Sequence, residues 1–171
     1  MKYGELNLGQ IEAIVNKLGG MEGVQRFLSG HADVYCKEHI IDCDVAPFVP
    51  DGWKVEEHQK GGQLSFNAPQ IELHLPVAQK NGTIEGNKLR KELAGKPVLN
   101  ANVLDYLLAH PELIPEDWKG KYVFFWGTVY RDSDGNLCVR FLYWIVGRWS
   151  WGNGWLDDGW YGDYPAALHA S

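Results

Sequence analysis

A chain of 171 residues with 45% hydrophobic and 22% charged residues has the makeup of a globular domain that buries a core, which excludes disorder for most of its length. Its formal net charge of −6 disfavours general affinity for nucleic acid or anionic membrane, because phosphate groups repel an acidic surface. Three cysteines cannot all pair, and there is neither a leader pattern nor a run of the ~18–20 apolar residues that span a bilayer, so a cytoplasmic protein is expected.

In chain order, residues 1–30 read as a helical hairpin. Asn7 is placed to cap a helix whose Ile11, Ile14, Val15 and Leu18 form one apolar stripe. Gly19-Gly20 stops it, and Glu22 to Leu28 form a shorter helix ended by Gly30. Helices this short need a surface to bury the stripe, either the rest of the chain or another protein. Residues 31–120 mix strands and helices. His39 to Cys43, Trp53 to Glu57 and Gln63 to Asn67 have the makeup of short strands. Gln70 to Leu75 alternates clearly, with Ile71, Leu73 and Leu75 on one face and Gln70, Glu72 and His74 on the other, and Pro76 marks an end or an edge. Ile84 to Leu93 is expected as a helix weakened by Gly86, and Val103 to Ala109 as a helix capped by Asn100 or Asn102 and stopped at His110-Pro111.

Residues 121–157 predict an antiparallel meander. Lys121 to Tyr130 and Leu137 to Val146 are rich in aromatic and β-branched residues, and Asp134-Gly135 fits a two-residue hairpin turn between them. That turn would set Trp126 opposite Tyr143, Thr128 opposite Phe141, Tyr130 opposite Val139 and Phe125 opposite Trp144. Gly147 permits another turn, after which Trp149 and Trp151 share one face of a third strand. Period 2 is lost from Trp155 onward, and 158–171 reads as a loop-like, acidic, aromatic tail without Lys or Arg. The fold class is therefore α+β: an N-terminal helical hairpin plus a mainly antiparallel sheet ending in an aromatic-rich three-stranded meander, in a single domain with both faces of the meander substantially covered.

The opening LNLGQIEAIVNKLGGMEGVQRFL at 6–28, the stretch WKGKYVFFWGT at 118–128, the DSDGNL turn at 132–137 and the closing Pro165-Ala166-Ala167 are similar to the two ends of a group of uncharacterised bacterial proteins, many of them metagenomic. No activity accompanies that resemblance, so it implies no catalytic or binding residue.

Among candidate chemistries, His31, Cys36, His39 and Cys43 are four potential zinc ligands, but the close Cys-x2–4-Cys pair of structural zinc sites is missing and the cysteines read as small buried residues. Asp132, Asp134 and Asn136 alternate like the start of a calcium loop, yet Leu137 and Tyr143 stand where such a loop needs Gly and Glu; a hairpin turn explains them. No metal or other cofactor is expected. Glu72 and His74 on one strand face would suit a hydrolase-like polar site, although no nucleophile is identifiable by spacing. Lys80, Lys88, Arg90, Lys91 and Lys96 make the 80–96 stretch basic, the feature a weak nucleic-acid binder would use. A short second helix offering only Gln25 and Arg26 argues against base reading by the N-terminal pair. The strongest feature is ring density beyond the hairpin: Trp149, Trp151, Trp155, Trp160 and Tyr161 beside Asn153, Asp157, Asp158 and Asp163. Such rings either complete a core or recognise a protein partner or small polar ligand. The leading expectation is a binding protein rather than an enzyme, with those five aromatics as its site and its oligomeric state open.

Overall fold

The computed structural model describes residues 7–31 and 38–170, which fall into two compact units. The first holds α1 (Leu8–Lys17) and α2 (Gly20–Leu28). Asn7 and Gln10 form a reciprocal capping box at the start of α1, satisfying two backbone N–H groups that the helix leaves free. Gly19, with φ 86°, turns the chain between the helices, and Gly23 lets α2 lie against the Leu18 carbonyl, which a Cβ would meet at 1.5 Å. Val15, Leu18 and Val24 are half-buried, while Ile11, Ile14 and Phe27 are exposed.

The second unit is α+β. Its elements are β1 (Ile40–Asp42), β2 (Lys54–His58), β3 (Gln63–Ser65), β4 (Ile71–His74), α3 (Val77–Lys80), β5 (Ile84–Glu85), α4 (Gly86–Leu93), α5 (Ala101–Ala109), β6 (Val123–Phe124), β7 (Thr128–Arg131), β8 (Leu137–Ile145), β9 (Arg148–Trp155), β10 (Gly159–Trp160) and β11 (Ala166–His169). Seven strands form one sheet in the order β2-β7-β8-β6-β11-β4, with β9 also paired to β8; only β6 and β11 run parallel. Two strand pairs, β1 with β3 and β5 with β10, stand apart from it.

Successive side chains on a strand point to opposite faces, and here both faces are buried. Val123, Phe125, Leu142 and Ala167 join Val103, Leu104 and Leu107 of α5 in one core; Phe124, Trp126, Val139, Ala166 and Leu168 join Leu89 and Leu93 of α4 in the other. On the α5 face Arg140, 1% exposed, donates two hydrogen bonds to Asp105 at 2.7 and 3.1 Å and stacks on Trp151 at 4.3 Å. The N-terminus of α5 is fixed by a second polar network. The Asn100 amide donates to the carbonyls of Cys43 and Gln59, and Ala101 N–H donates to the Thr128 hydroxyl. That leaves the Thr128 proton for His58 Nδ1 at 2.9 Å, so His58 Nε2–H donates to Cys43 O at 3.1 Å.

The structure departs from the sequence expectations at four places. The 132–136 hairpin has a three-residue loop, because the Asp132 carboxylate accepts from Asp134 N and Asn136 N and Gly135 takes φ 89°. Tyr130 therefore faces Cys138 rather than Val139, and none of the four cross-strand pairs inferred from a two-residue turn forms. The strand expected over 121–130 is broken at Trp126-Gly127, where Gly127 passes within 2.9 Å of the Asn100 backbone, measured from the Cβ it lacks. Ile84-Glu85 is a strand paired to β10, and the helix starts at Gly86. Gly86 is no weakness: a Cβ there would lie 2.4 Å from Trp160 Nε1 and 2.8 Å from the Leu156 backbone. Finally, the stretch 158–171 is not a loop-like tail, since it carries β10 and β11, and β11 sits inside the sheet between β6 and β4.

Candidate functional site

The end of β9, the turn into β10 and the segment after it build a cavity of about 370 Å³ on the α4 face. Its shape follows from the glycines of β9. Gly152 and Gly154 leave that side of the strand bare, so the Phe141 ring lies over the first and the Phe124 and Trp160 rings over the second, each within 2.6–3.2 Å of where a Cβ would stand. Phe124 and Trp160 pack at 4.1 Å between centroids, and Tyr164 joins Phe124 at 5.5 Å. Tyr161 stands across from Tyr164 at 5.7 Å with the ring planes 82° apart.

The loop carrying these tyrosines is held from beneath. Gln79 of α3, almost wholly buried, donates its amide hydrogens to the carbonyls of Tyr161 at 2.6 Å and Tyr164 at 2.7 Å. On the other side the Asn87 amide of α4 donates to Asp157 Oδ1 at 2.8 Å, and Gly86 N–H donates to Asp158 O. Asp157 is thereby engaged, whereas the exposed Asp158 carboxylate at the cavity makes no side-chain hydrogen bond among the described residues. Burial, then the negative charge of Asp163, and further down Asp158, push the Tyr164 phenol above its ordinary pKa.

Three of the five aromatics expected as one site line this cavity and two do not. Trp160 (1% exposed) and Tyr161 (53%) line the cavity, Trp160 as a core residue whose ring forms a wall and whose Nε1–H donates to Trp155 O. Trp155, 44% exposed, also borders it, with its Nε1–H donated to Asp132 Oδ2 at 2.8 Å. That hydrogen bond is the first cause holding the Asp132 carboxyl below its ordinary pKa. Trp149 and Trp151 pack toward the α5 core, where Trp149 meets Trp144 at 5.4 Å and Trp151 covers Arg140, and neither lines the cavity; Trp155, in step with them on β9, borders it at the end of the strand. Asn153, opposite Arg140 in the β8–β9 pairing, also lines the cavity, and its buried Nδ2 has no hydrogen-bond partner among the described residues. Phe124, Phe141 and Tyr164 of the cavity were not singled out by sequence reasoning; the Gly-x-Gly spacing at 152–154 was the available signal that rings must cover the strand.

His74 Nδ1 lies 3.4 Å from Glu72 Oε1 on β4, the sheet's last strand in pairing order, and three cavities of about 370, 590 and 610 Å³ are all lined by other residues. In the basic stretch, Arg90 is paired with Glu57 at 2.5 Å and lines the largest of these cavities with Lys91 and Asn87. Cys36 lies outside the described residues; Cys43 and Cys138 are free and buried, and burial raises their thiols to about 11 and about 12. Among the described residues no group of three or more His, Cys, Asp or Glu is arranged to hold a metal ion, and no helix is long and apolar enough to cross a membrane. Comparison with family models, curated proteins and solved structures returns no match.

Proposed function

We propose that the protein is a cytoplasmic binding protein for a small polar ligand, which it holds in the aromatic cavity at the end of β9. The observation that carries this reading is the meeting of Trp155, Trp160 and Tyr161 with Tyr164, Phe124 and the Asp158 carboxylate around a cavity of about 370 Å³, a size suited to a small molecule. The rings supply contact area at little entropy cost, and Gln79 and Asn87 hold the loop in shape before a ligand arrives. Among the described residues that line the cavity there is no Ser, Cys, Lys or His, which favours binding over catalysis.

The test is a thermal-shift panel on the full chain with sugars, polyols, amines and carboxylic acids. A ligand at a hundred times its Kd adds about 2.7 kcal/mol to stability, a rise of roughly 5–10 °C. One ligand class should raise Tm by that amount, and Tyr161→Ala, which alters an exposed ring, should abolish the rise while leaving the ligand-free Tm within about a degree. A rise that survives Tyr161→Ala, or a panel with no rise at all, counts against the cavity.

A further inference from the structure

The three cavities differ in charge. The largest is lined by Arg90 and Lys91 against one carboxylate, Glu57, and the one of about 590 Å³ by Lys60 and His169. Among the described residues the aromatic cavity is lined by Asp158 and by no Lys, Arg or His. The segment that forms it carries the same sign: Asp157, Asp158 and Asp163 follow β9, and no Lys or Arg occurs after Arg148, although α3 and α4 packed against it bring Lys80 and Lys88 beside Gln79 and Asn87. Aromatic rings meet in its lining at steep angles, Trp160 with Tyr164 at 82° and Tyr161 with Tyr164 at 82°. Aromatic faces carry partial negative charge, so this arrangement repels anions and attracts cations from several directions. A neutral sugar would need several convergent side-chain donors and acceptors, whereas the polar side chains of the lining are the Asp158 carboxylate, the tyrosine hydroxyls and a single amide, Asn153.

We infer that the ligand of this cavity is a small organic cation carrying an alkylated ammonium group, seated against the rings of Tyr161 and Tyr164 and paired with the Asp158 carboxylate. This rests on the cavity being the binding site proposed above. Alkylation favours the fit, because a methylated ammonium sheds its water more readily than a primary one on entering an apolar cup.

The experiment is calorimetric titration of the full chain with choline, with its neutral isostere bearing a quaternary carbon in place of nitrogen, with ethanolamine and with glucose. Choline should bind about tenfold more tightly than the isostere and more tightly than ethanolamine. Asp158→Asn should weaken choline by about fivefold without changing the isostere, and Tyr161→Ala should weaken both, each variant keeping the parent's circular dichroism. Equal binding of choline and isostere, or an indifferent Asp158→Asn, overturns the inference. Glucose binding that is lost in Tyr161→Ala, with choline inert, overturns the cation and leaves the cavity as the site. If none of the four ligands binds, the cation inference falls, and the panel above decides whether the cavity binds anything else.

Discussion

The two faces of the central sheet are built by different chemistry. The α5 face is joined by polar groups: Arg140 clamped to Asp105, Asn100 reaching two carbonyls, and Thr128 shared between Ala101 and His58. Directional bonds of this kind fix positions and tolerate little displacement. The α4 face is joined by rings laid on glycines, with Phe141 over Gly152, Phe124 and Trp160 over Gly154, and Trp160 against Gly86. A cavity of about 370 Å³ bordered by the Asp158 carboxylate remains there. The contrast teaches that the density of tryptophan in this chain serves two purposes, covering a buried charge on one face and shaping a hollow on the other.

The largest way to break the polar face is Asp105→Ala, which strands the Arg140 guanidinium in the core. Because Asp105 keeps 30% of its side-chain surface in water, a loss of about 3 kcal/mol, the low end for broken buried pairs, is expected in chemical denaturation. Adding Arg140→Met should recover part of it. On the ring face the corresponding change is Gly86→Ala. Helix propensity alone would make it stabilising by about 1 kcal/mol, but the clash with Trp160 and the Leu156 backbone should reverse the sign to a loss of about 1–3 kcal/mol. A stabilised Gly86→Ala would show that the rings there are loosely packed.

The β8–β9 turn gives a smaller effect of opposite sign. Val146 holds φ 48° while 93% exposed, a conformation that suits Asn and strains a β-branched residue. Val146→Asn should stabilise by about 1 kcal/mol, read as an upward Tm shift, without touching either face. The smallest effect is a titration. Trp155 Nε1–H is the main cause of the lowered Asp132 pKa, so Trp155→Phe should raise it toward 3.8, measured by carboxyl NMR. The sign follows from linkage: a depressed folded pKa contributes stability above the unfolded value, and that contribution is lost as pH falls through the folded one. Wild type should therefore lose stability below about pH 4 more steeply than Trp155→Phe.

These contrasts also mark what a sequence makes visible. The capping Asn7, the alternation of β4 with Pro76 after it, and Trp149 and Trp151 on one face of β9 were legible because each depends on neighbours a few residues away. The hairpin register was missed by one residue because the Asp132 side chain, rather than Asp134-Gly135 alone, sets the loop length. β11 was read as tail because Ala166-Ala167-Leu168 is too short and too small in side chain to announce a strand, and its place comes from parallel pairing with β6 far away in sequence. The candidate site was half legible for the same reason. Trp155, Trp160 and Tyr161 stood out, but which rings reach the cavity depends on where β9 ends and turns into β10, and Phe124, Phe141 and Tyr164 enter only once the sheet is closed.

The most direct test of the account is an amide and indole chemical-shift map of the protein titrated with choline. The account predicts saturable shifts at Asp158, Tyr161, Tyr164 and the Trp160 indole, with Asp105, Arg140 and the Trp151 indole unmoved. Shifts confined to the Arg140 face, or to the cavities around Arg90 and Lys60, would contradict it.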